Sequence, residues 1–257
     1  MSSFWPNLLK RRASRATATF PPYYGAFMTY LVTGANRGIG LEFTRELLKR
    51  GESVVATARN PESAEDLKTL QNEYGEHLAI FALDIADVAS MEDFAKELGD
   101  RAIDVLINNA GILERCGALG EIDYEVIERS FQVNTIGTLR LTELLLPALR
   151  RAKDGAKIVN LSSKMGSIAE NSSGGSYAYR ASKAALNMVT RSLALDLADE
   201  GIIAFVVHPG WVQTRMGGPN ALIDTETSVT SLLDVIDKAD ASTSGSFQEW
   251  NGNTIAW

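Results

Sequence analysis

Tyr179 and Lys183 stand four residues apart, a spacing that could support proton transfer. In a helix, side chains four residues apart project from the same face. A phenol ionises near pH ~10, and a neighbouring cation lowers this pKa because it favours the phenolate. The pair therefore predicts a tyrosine that donates and accepts a proton near neutral pH, with the lysine tuning it. Alone, the spacing is more often an ordinary solvated helix face.

A glycine-rich stretch, Thr33 to Gly40, lies between an apolar run and an amphipathic segment. Glycines at a strand–helix turn allow a tight bend and a close approach of the backbone to a ligand. The free N–H groups of the helix start then bind a pyrophosphate. The spacing is Gly-x-x-x-Gly-x-Gly, and at the start of an alternating chain it predicts a dinucleotide site. The residues expected to contact the dinucleotide here are Gly34, Asn36, Arg37, Gly38, Ile39 and Gly40.

The end of the second predicted strand should select between the two nicotinamide dinucleotides. A carboxylate about 20 residues after the glycines would bind the adenosine ribose and repel a 2′-phosphate. Here the sequence has Arg59 instead, and its planar guanidinium suits a phosphate. Arg37 could supply a second cation. We therefore predict NADP(H); the alternative is that both arginines are surface solubilising groups.

Apolar runs and amphipathic segments alternate along the chain, which predicts a doubly wound, Rossmann-like parallel α/β sheet of about seven strands in one domain. The expected strands are residues 29–33, 53–58, 78–83, 103–107, 157–161, 202–207 and 246–250. The expected helices are residues 41–50, 60–74, 90–98, 124–151, 179–200 and 227–238. The segment 124–151 is apolar nearly all round, so we expect it to be buried on both sides, against the sheet and a partner subunit.

The composition narrows the function classes. A net charge of −7 argues against nucleic acid as a partner, because no basic face can dominate. Cys116 is the single cysteine, which excludes an intrachain disulfide and fits a reducing, cytoplasmic compartment. With only His77 and His208 beside it, no metal site is expected. No apolar run is long enough to span a bilayer.

Residues 1–27 differ from the rest of the chain. The first 41 residues hold no acidic side chain, and Lys10, Arg11, Arg12 and Arg15 cluster among Ser, Thr and Ala. This composition is typical of an organelle presequence for a mitochondrion or plastid. A disordered leader, or an upstream start before Met28, explains it as well. We therefore assign the catalytic domain to residues 28–257.

Six motifs now occur in order at characteristic spacing. They are Thr33-Gly34-x-x-x-Gly38-x-Gly40, Asn108-Asn109-Ala110-Gly111, Asn134, Ser162-Ser163, Tyr179-x-x-x-Lys183 and Pro209-Gly210. Over residues 29–257 the chain resembles the short-chain dehydrogenase/reductase family. The stretches at residues 182–187 and 208–212, and the ending from Trp250 to Trp257, are similar to the small carbonyl reductases of the sniffer and C-factor kind.

The resemblance implies a role for four residues. Tyr179 would exchange the proton with the substrate oxygen while hydride moves to or from nicotinamide. Lys183 would lower the tyrosine pKa and hold the nicotinamide ribose. Ser163 would hydrogen-bond the carbonyl oxygen and stabilise the charge that develops there. Asn134 would hold a water that links Lys183 to solvent; without the family it would be an ordinary helix-interior residue.

The resemblance also implies contacts along the cofactor and the substrate. The expected cofactor contacts beyond the glycine loop are Asp84, Ile85, Asn109, Ala110, Gly111, Pro209, Gly210, Val212 and Thr214. Asn108 is expected to stabilise the sheet. Met165 and Trp211 are expected to line the substrate pocket, although Trp211 could equally well close its own loop. The short stretch between Ser163 and Tyr179 favours a homodimer or homotetramer.

The sequence therefore favours an NADPH-dependent reductase that converts an aldehyde or ketone to an alcohol. Two alternatives stay open. One is a catalytically idle NADP(H)-binding sensor or signalling protein, which would not need the complete set of four residues. The other is a ketoacyl reductase acting on a carrier protein, which would require a basic docking surface that the chain does not show outside residues 1–27.

Overall fold

The computed structural model describes residues 27–257, which contain a sheet of seven parallel strands. The strands are β1 Thr29–Val32, β2 Ser53–Ala58, β3 Leu78–Ala82, β4 Val105–Asn108, β5 Lys157–Leu161, β6 Ile203–His208 and β7 Phe247–Glu249. Their spatial order is β3-β2-β1-β4-β5-β6-β7. The doubly wound α/β architecture predicted from the sequence is confirmed. The predicted leader, apart from Phe27, lies outside the described residues.

Helices cover both faces of this sheet. They are α1 Gly38–Lys49, α2 Glu65–Tyr74, α3 Val88–Leu98, α4 Tyr124–Phe131, α5 Thr138–Leu149, α6 Tyr177–Asp196 and α7 Thr225–Lys238. A π-helical turn, Gln132–Gly137, joins α4 to α5 without a break. None of the helices described here is both long and apolar enough to cross a membrane.

The strands are apolar on both sides because both faces of the sheet are covered. In β1, Tyr30 and Val32 point into one core with α1, α2 and α7, whereas Leu31 points into the other with α3, α5 and α6. Alternate side chains of this short strand therefore pack into the two cores on opposite faces of the sheet. The continuous β-branched and aliphatic runs of the sequence follow from this arrangement.

A chain of buried polar side chains crosses the middle of the sheet. Asn108 Nδ2 donates to Asn160 Oδ1 at 2.8 Å and to Thr142 Oγ1 at 3.2 Å, and Asn160 Nδ2 donates to Thr190 Oγ1 at 2.8 Å. The chain therefore links α5, β4, β5 and α6. Buried amides need such partners, so Asn108 is a sheet-stabilising residue, as the sequence predicts.

Several predicted boundaries were wrong by a few residues. Asn60 was expected to cap the second helix, but Pro61–Ser63 forms a short 3₁₀ turn and α2 starts after Ala64. Helix α6 begins at Tyr177 rather than Tyr179. The segment expected as one regular helix over residues 124–151 contains the π turn.

The strand order changes direction between β1 and β4, which opens a crevice at the carboxyl ends of the strands. In doubly wound sheets ligands bind in this crevice. The glycine-rich stretch follows β1, residues 109–111 follow β4, and Ser163 follows β5 at this same edge. The fold therefore brings together motifs that are far apart in the sequence.

Candidate active site

Tyr179 and Lys183 lie on the same face of α6, as their spacing predicts. Lys183 Nζ is 5.9 Å from the centroid of the Tyr179 ring, and both side chains are buried. Tyr177, two residues earlier, is 38% exposed, against 7% for Tyr179. The two tyrosines of the helix therefore differ in environment, since one is buried and the other is exposed.

The ionisation of the pair is governed mainly by burial. Burial raises the pKa of Tyr179, and a hydrogen bond with Ser163 opposes that rise. Burial also lowers the pKa of Lys183 to about 8. Desolvation is the larger of the two effects on Tyr179, so its pKa lies above the ordinary value of a phenol. The Tyr179 hydroxyl is therefore protonated near neutral pH. That Lys183 lowers the tyrosine pKa stays a prediction.

Ser163 reaches the tyrosine because the turn after β5 packs tightly on α6. The 3₁₀ turn Lys164–Gly166 follows Ser163, whose Oγ accepts a 3.2 Å hydrogen bond from Met165 N. A Cβ atom on Gly166 would lie 2.8 Å from Cβ of Lys183, so only glycine permits this approach. Arg180 Nη1 also donates to Met165 O at 3.3 Å.

Asn134 lies in the π turn, fully buried, and its side chain is fully engaged. Its Oδ1 accepts from Ile112 N at 2.8 Å, and its Nδ2 donates to Ile112 O at 2.9 Å and to Ser182 Oγ at 3.0 Å. Ser182 Oγ donates in turn to Tyr179 O at 2.9 Å. Both amide hydrogens are therefore used, and the side chain ties the segment after β4 to the helix that carries Tyr179.

The glycine loop is held by the neighbouring strand. Thr33 Oγ1 accepts hydrogen bonds from the backbone N of Asn109 and of Ala110, both at 3.0 Å. Asn109 Nδ2 donates to Thr33 O at 2.8 Å and to Gly34 O at 3.2 Å. Asn109 thus acts first as a clamp on the loop, a role that the sequence did not indicate.

The loop has the space and the donors that a pyrophosphate requires. Gly34 and Gly38 have positive φ values of +65° and +53°, and a Cβ on Gly40 would collide with Gly34 O. Among the described residues the N-cap residue, Arg37, makes no side-chain cap hydrogen bond, and the first turn of α1 holds no acidic residue. Its N–H groups therefore face the crevice without a side-chain acceptor, so the residues present fit a bound dinucleotide.

Arg37 and Arg59 are both exposed near this loop. Ala35 N donates to Thr57 O at 2.8 Å, which joins the glycine loop to the end of β2, two residues before Arg59. Within the described part of the chain neither guanidinium has an ion-pair or hydrogen-bond partner. Both are therefore available to an anionic ligand.

The segment after β3 lies at the other side of the crevice. Asp84 is half-buried, and its Oδ1 accepts from Ala86 N at 3.0 Å. Ile85 is buried, and its carbonyl packs so closely on the π turn that a Cβ on Gly137 would overlap it. The segment is thus anchored to the helix that holds Asn134.

The loop after β6 returns towards the glycine loop. Thr214 Cγ2 would lie 3.4 Å from a Cβ on Gly38, so the two loops nearly touch. Val212 is buried, and Gly210 has a φ of +88° directly after Pro209. Gly111, on the β4 side, would place a Cβ 3.5 Å from Lys183 Nζ, so its backbone lies beside the lysine.

Trp211 closes its own loop and is also exposed. Its Nε1 donates to Gly217 O at 2.8 Å, while 51% of the residue is accessible. Met216 and Leu222 in the same loop are exposed as well. The two interpretations of Trp211 that the sequence left open are therefore compatible.

Comparison with known proteins assigns the chain to a family. Residues 28–222 match the family model described as short chain dehydrogenase. The chain belongs to the short chain dehydrogenase family. The resemblance inferred from the six sequence motifs is thereby confirmed, and the crevice is the cofactor-binding edge of this family's fold.

Individual short chain dehydrogenases resemble the chain over most of its length. The carbonyl reductase Sniffer of D. melanogaster superposes with a TM-score of 0.86 and 33% identity, over 90% of this chain and 100% of that one. An NADPH-bound carbonyl reductase from chicken fatty liver superposes with a TM-score of 0.85 and 35% identity, over 90% of this chain and 99% of that one. C-signal of Myxococcus xanthus is 46% identical over 169 residues, 65% of this chain and 100% of that protein.

Sequence reasoning gave no role to Arg180, which holds the turn just before α6. Gly174, Gly175 and Ser176 all have positive φ values, and Ser176 at +47° is the only such non-glycine residue in the part described. Arg180 holds this turn through bonds to Gly174 O at 3.2 Å and Ser173 Oγ at 2.8 Å. A pair of adjacent glycines is a sequence signal for a tight turn.

Proposed function

We propose that the protein is an NADPH-dependent reductase that converts an aldehyde or ketone to the alcohol. The observation that carries the proposal is the buried cluster of Tyr179, Ser163 and Lys183 at the same edge of the sheet as the glycine loop and the uncapped start of α1. The similarity to carbonyl reductases, one of them bound to NADPH, supports the substrate class and the cofactor.

Tyr179 donates the proton to the substrate oxygen. Burial keeps its hydroxyl protonated at neutral pH, which suits the direction of reduction. Ser163 hydrogen-bonds the same oxygen and stabilises the negative charge that grows on it. Lys183, fixed by a 2.8 Å bond from Nζ to Leu161 O, holds its positive charge below the ring and favours the phenolate as the proton leaves.

NADPH, when bound, supplies the hydride. The N–H groups at the start of α1 would hold its pyrophosphate, and Arg37 and Arg59 would hold its 2′-phosphate. The residues that would hold the nicotinamide end are Pro209, Gly210, Val212 and Thr214, and those that would hold the adenosine end are Asp84, Ile85, Asn109, Ala110 and Gly111. Asn134 positions Tyr179 through Ser182.

Two further parts of the proposal concern the surroundings of the site. Met165 and Trp211 line the substrate pocket from the loops after β5 and β6. The protein assembles as a dimer through the helical patch, which we define as the exposed apolar side chains Ile136, Leu139, Met188 and Leu195 on the π turn, α5 and α6. Thr135 Oγ1 donates to Ser182 O at 2.8 Å, so the π turn and α6, which carry part of this patch, are adjacent.

A signalling function is the second candidate, favoured by the 46% identity to the protein named C-signal. Such a protein would bind NADP(H) without turnover. The complete proton-transfer cluster argues against it, because a buried lysine with a depressed pKa is costly to keep in a pure binding module.

The deciding experiment follows NADPH absorbance with a panel of aldehydes and ketones. Turnover of at least one carbonyl compound by the wild type, and its loss in Tyr179→Phe, is the expected result. Tight NADPH binding without turnover of any carbonyl would instead support the sensor. Calorimetric NADPH titration of both proteins separates lost chemistry from lost binding.

A further inference from the structure

The stretch from Phe247 to Trp257 forms a compact unit, which we call the closing hairpin (residues 247–257). After β7 the chain turns at Gly252, whose N donates to Glu249 O at 2.8 Å. It then runs back along β7, with Glu249 N donating to Asn253 O at 2.7 Å and Ile255 N donating to Phe247 O at 2.8 Å. The returning segment thereby covers the free edge of the sheet.

The closing hairpin has a core of its own. Ile255 is buried against Phe247 and Val206 of the adjacent strand. The ring of Trp257 stacks on that of Phe247, with centroids 5.5 Å apart and an interplanar angle of 26°. The returning segment is therefore held in place by side-chain packing as well as by backbone hydrogen bonds.

Its first attachment is to the loop between Ser163 and Tyr179. Ser167 Oγ donates to Ala256 O at 2.6 Å, and Ala169 N donates to Trp257 O at 3.0 Å. Ser167 is buried, and its Oγ also accepts from Glu170 N at 3.1 Å. One hydroxyl therefore joins the hairpin to the turn of this loop.

Its second attachment is to the loop after β6. Gly210 lies so close to Trp250 that an added Cβ would be 3.0 Å from Trp250 Cδ1 and 3.2 Å from Trp250 Nε1. The same Cβ would be 2.7 Å from Ile223 Cδ1. The indole of Trp250 is thus wedged against the turn that begins this loop.

We propose that the closing hairpin is a spacer that sets the distance between the two loops flanking Tyr179, and so selects carbonyl substrates by size. The inference rests on the proposed function. It follows from the two attachments, because one rigid unit contacts the loop of Met165 and the loop of Trp211 at opposite ends. If the loops of Met165 and Trp211 form the walls of the substrate pocket, the closing hairpin that contacts both loops determines the distance between those walls.

The test compares a small aldehyde, propanal, with a bulky ketone, an aryl alkyl ketone, using NADPH as the reductant. Ser167→Ala removes the bond to Ala256 and is expected to raise the ratio of kcat/KM for the bulky over the small carbonyl roughly three- to tenfold. The expected change lies in KM for the ketone, with kcat for propanal within about twofold. Trp250→Ala should move the ratio in the same direction, and the double variant should gain less than the product of the two effects.

Thr69→Ala is the matched control, because it also removes a hydroxyl-to-carbonyl hydrogen bond, from Thr69 Oγ1 to Glu65 O at 3.0 Å, on distant α2. Hydrogen exchange of the NADPH-loaded protein adds a readout independent of turnover. Ser167→Ala should speed exchange in residues 165–172 and 253–257 together, whereas Thr69→Ala should not.

The wild type is active in this outcome, but Ser167→Ala and Trp250→Ala both leave the ratio of kcat/KM for the bulky over the small carbonyl unchanged. That result overturns this proposal and leaves the proposed function intact. Equal losses on both substrates also overturn it, because they indicate a general weakening of the fold. A wild type that reduces neither carbonyl overturns the proposed function itself.

Discussion

The Nζ atom of Lys183 donates a 2.8 Å hydrogen bond to the backbone oxygen of Leu161, the last residue of β5. This bond fixes the ammonium in a site where the side chain is almost fully buried and its pKa falls to about 8. A charge held this way costs folding free energy at neutral pH, where the unfolded chain keeps it hydrated.

Lys183→Met should therefore raise stability while it abolishes reduction. The depressed pKa corresponds to at most about 3 kcal/mol at pH 7, and about 1 kcal/mol is lost because Leu161 O loses its donor. We expect the apoprotein of the variant to be about 1–2 kcal/mol more stable in urea unfolding.

The difference in stability between Lys183→Met and the wild type should shrink at high pH. Between pH 8 and 10.5 the unfolded chain holds the lysine proton and the folded chain does not, so wild-type stability rises with pH in this window. The two proteins should therefore converge by pH 10. A variant that is less stable than the wild type at pH 7 would contradict this account.

Tyr179→Phe should lower kcat by about 10²- to 10⁴-fold, because the proton donor is lost while the ring and its packing remain. Tyr177→Phe is the matched control, since Tyr177 is exposed on the same helix two residues earlier. It should keep most of the rate. Equal losses in both variants, measured by stopped-flow NADPH oxidation, would mean that the acid is assigned to the wrong residue.

Arg59→Ala should weaken NADPH binding about tenfold or more and leave NADH binding nearly unchanged, because the guanidinium would contact only the 2′-phosphate. Fluorescence titration measures the Kd for NADPH and for NADH, and the ratio of the two Kd values gives the cofactor preference. Lys238→Ala removes an exposed cation at the far end of α7 and should not change it. A wild type that prefers NADH would refute the assignment of the cofactor.

Leu139→Glu and Met188→Glu should each dissociate the dimer, since a carboxylate in an apolar interface is desolvated without a partner. Size-exclusion chromatography with light scattering measures the mass. Glu143→Gln, an exposed residue of α5, serves as the control. A wild type that already runs as a monomer would contradict the proposed helical patch interface.

Asn160→Ala should destabilise the protein by about 2–4 kcal/mol in urea unfolding. It leaves Asn108 Nδ2 short of an acceptor and Thr190 Oγ1 short of a donor, both inside the sheet. Asn72→Ala, on the exposed side of α2, should change stability by less than about 0.5 kcal/mol. Similar small effects in both variants would show that water replaces the lost amide.

Much of the fold could be predicted from local pattern. Strands β2 and β5 have the bounds expected from their apolar runs, whereas α1 begins at Gly38, three residues before its expected start and inside the glycine-rich stretch. These features depend on residues adjacent in the sequence, so periodicity and turn chemistry suffice to find them. The family resemblance then supplied the candidate site.

What could not be predicted depends on contacts between distant residues. The π turn forms where Gly137 lets the carbonyl of Ile85 approach, and no local signal marks that meeting. The raised pKa of Tyr179 reflects burial by several elements, which a four-residue spacing does not contain. Likewise Asn109 looked like a ligand contact, and its clamp on Thr33 becomes visible only when β1 and β4 lie side by side.

The clamp made by Asn109 and Thr33 also has a kinetic consequence. Four hydrogen bonds join residues 33–34 to residues 109–110, and the bond from Ala35 N to Thr57 O joins the same loop to β2. If this loop binds the pyrophosphate as proposed, we expect it to bind without first populating a rare conformation. Association at this end of the crevice should follow collision frequency, whereas any slow rearrangement belongs to the loops around the substrate.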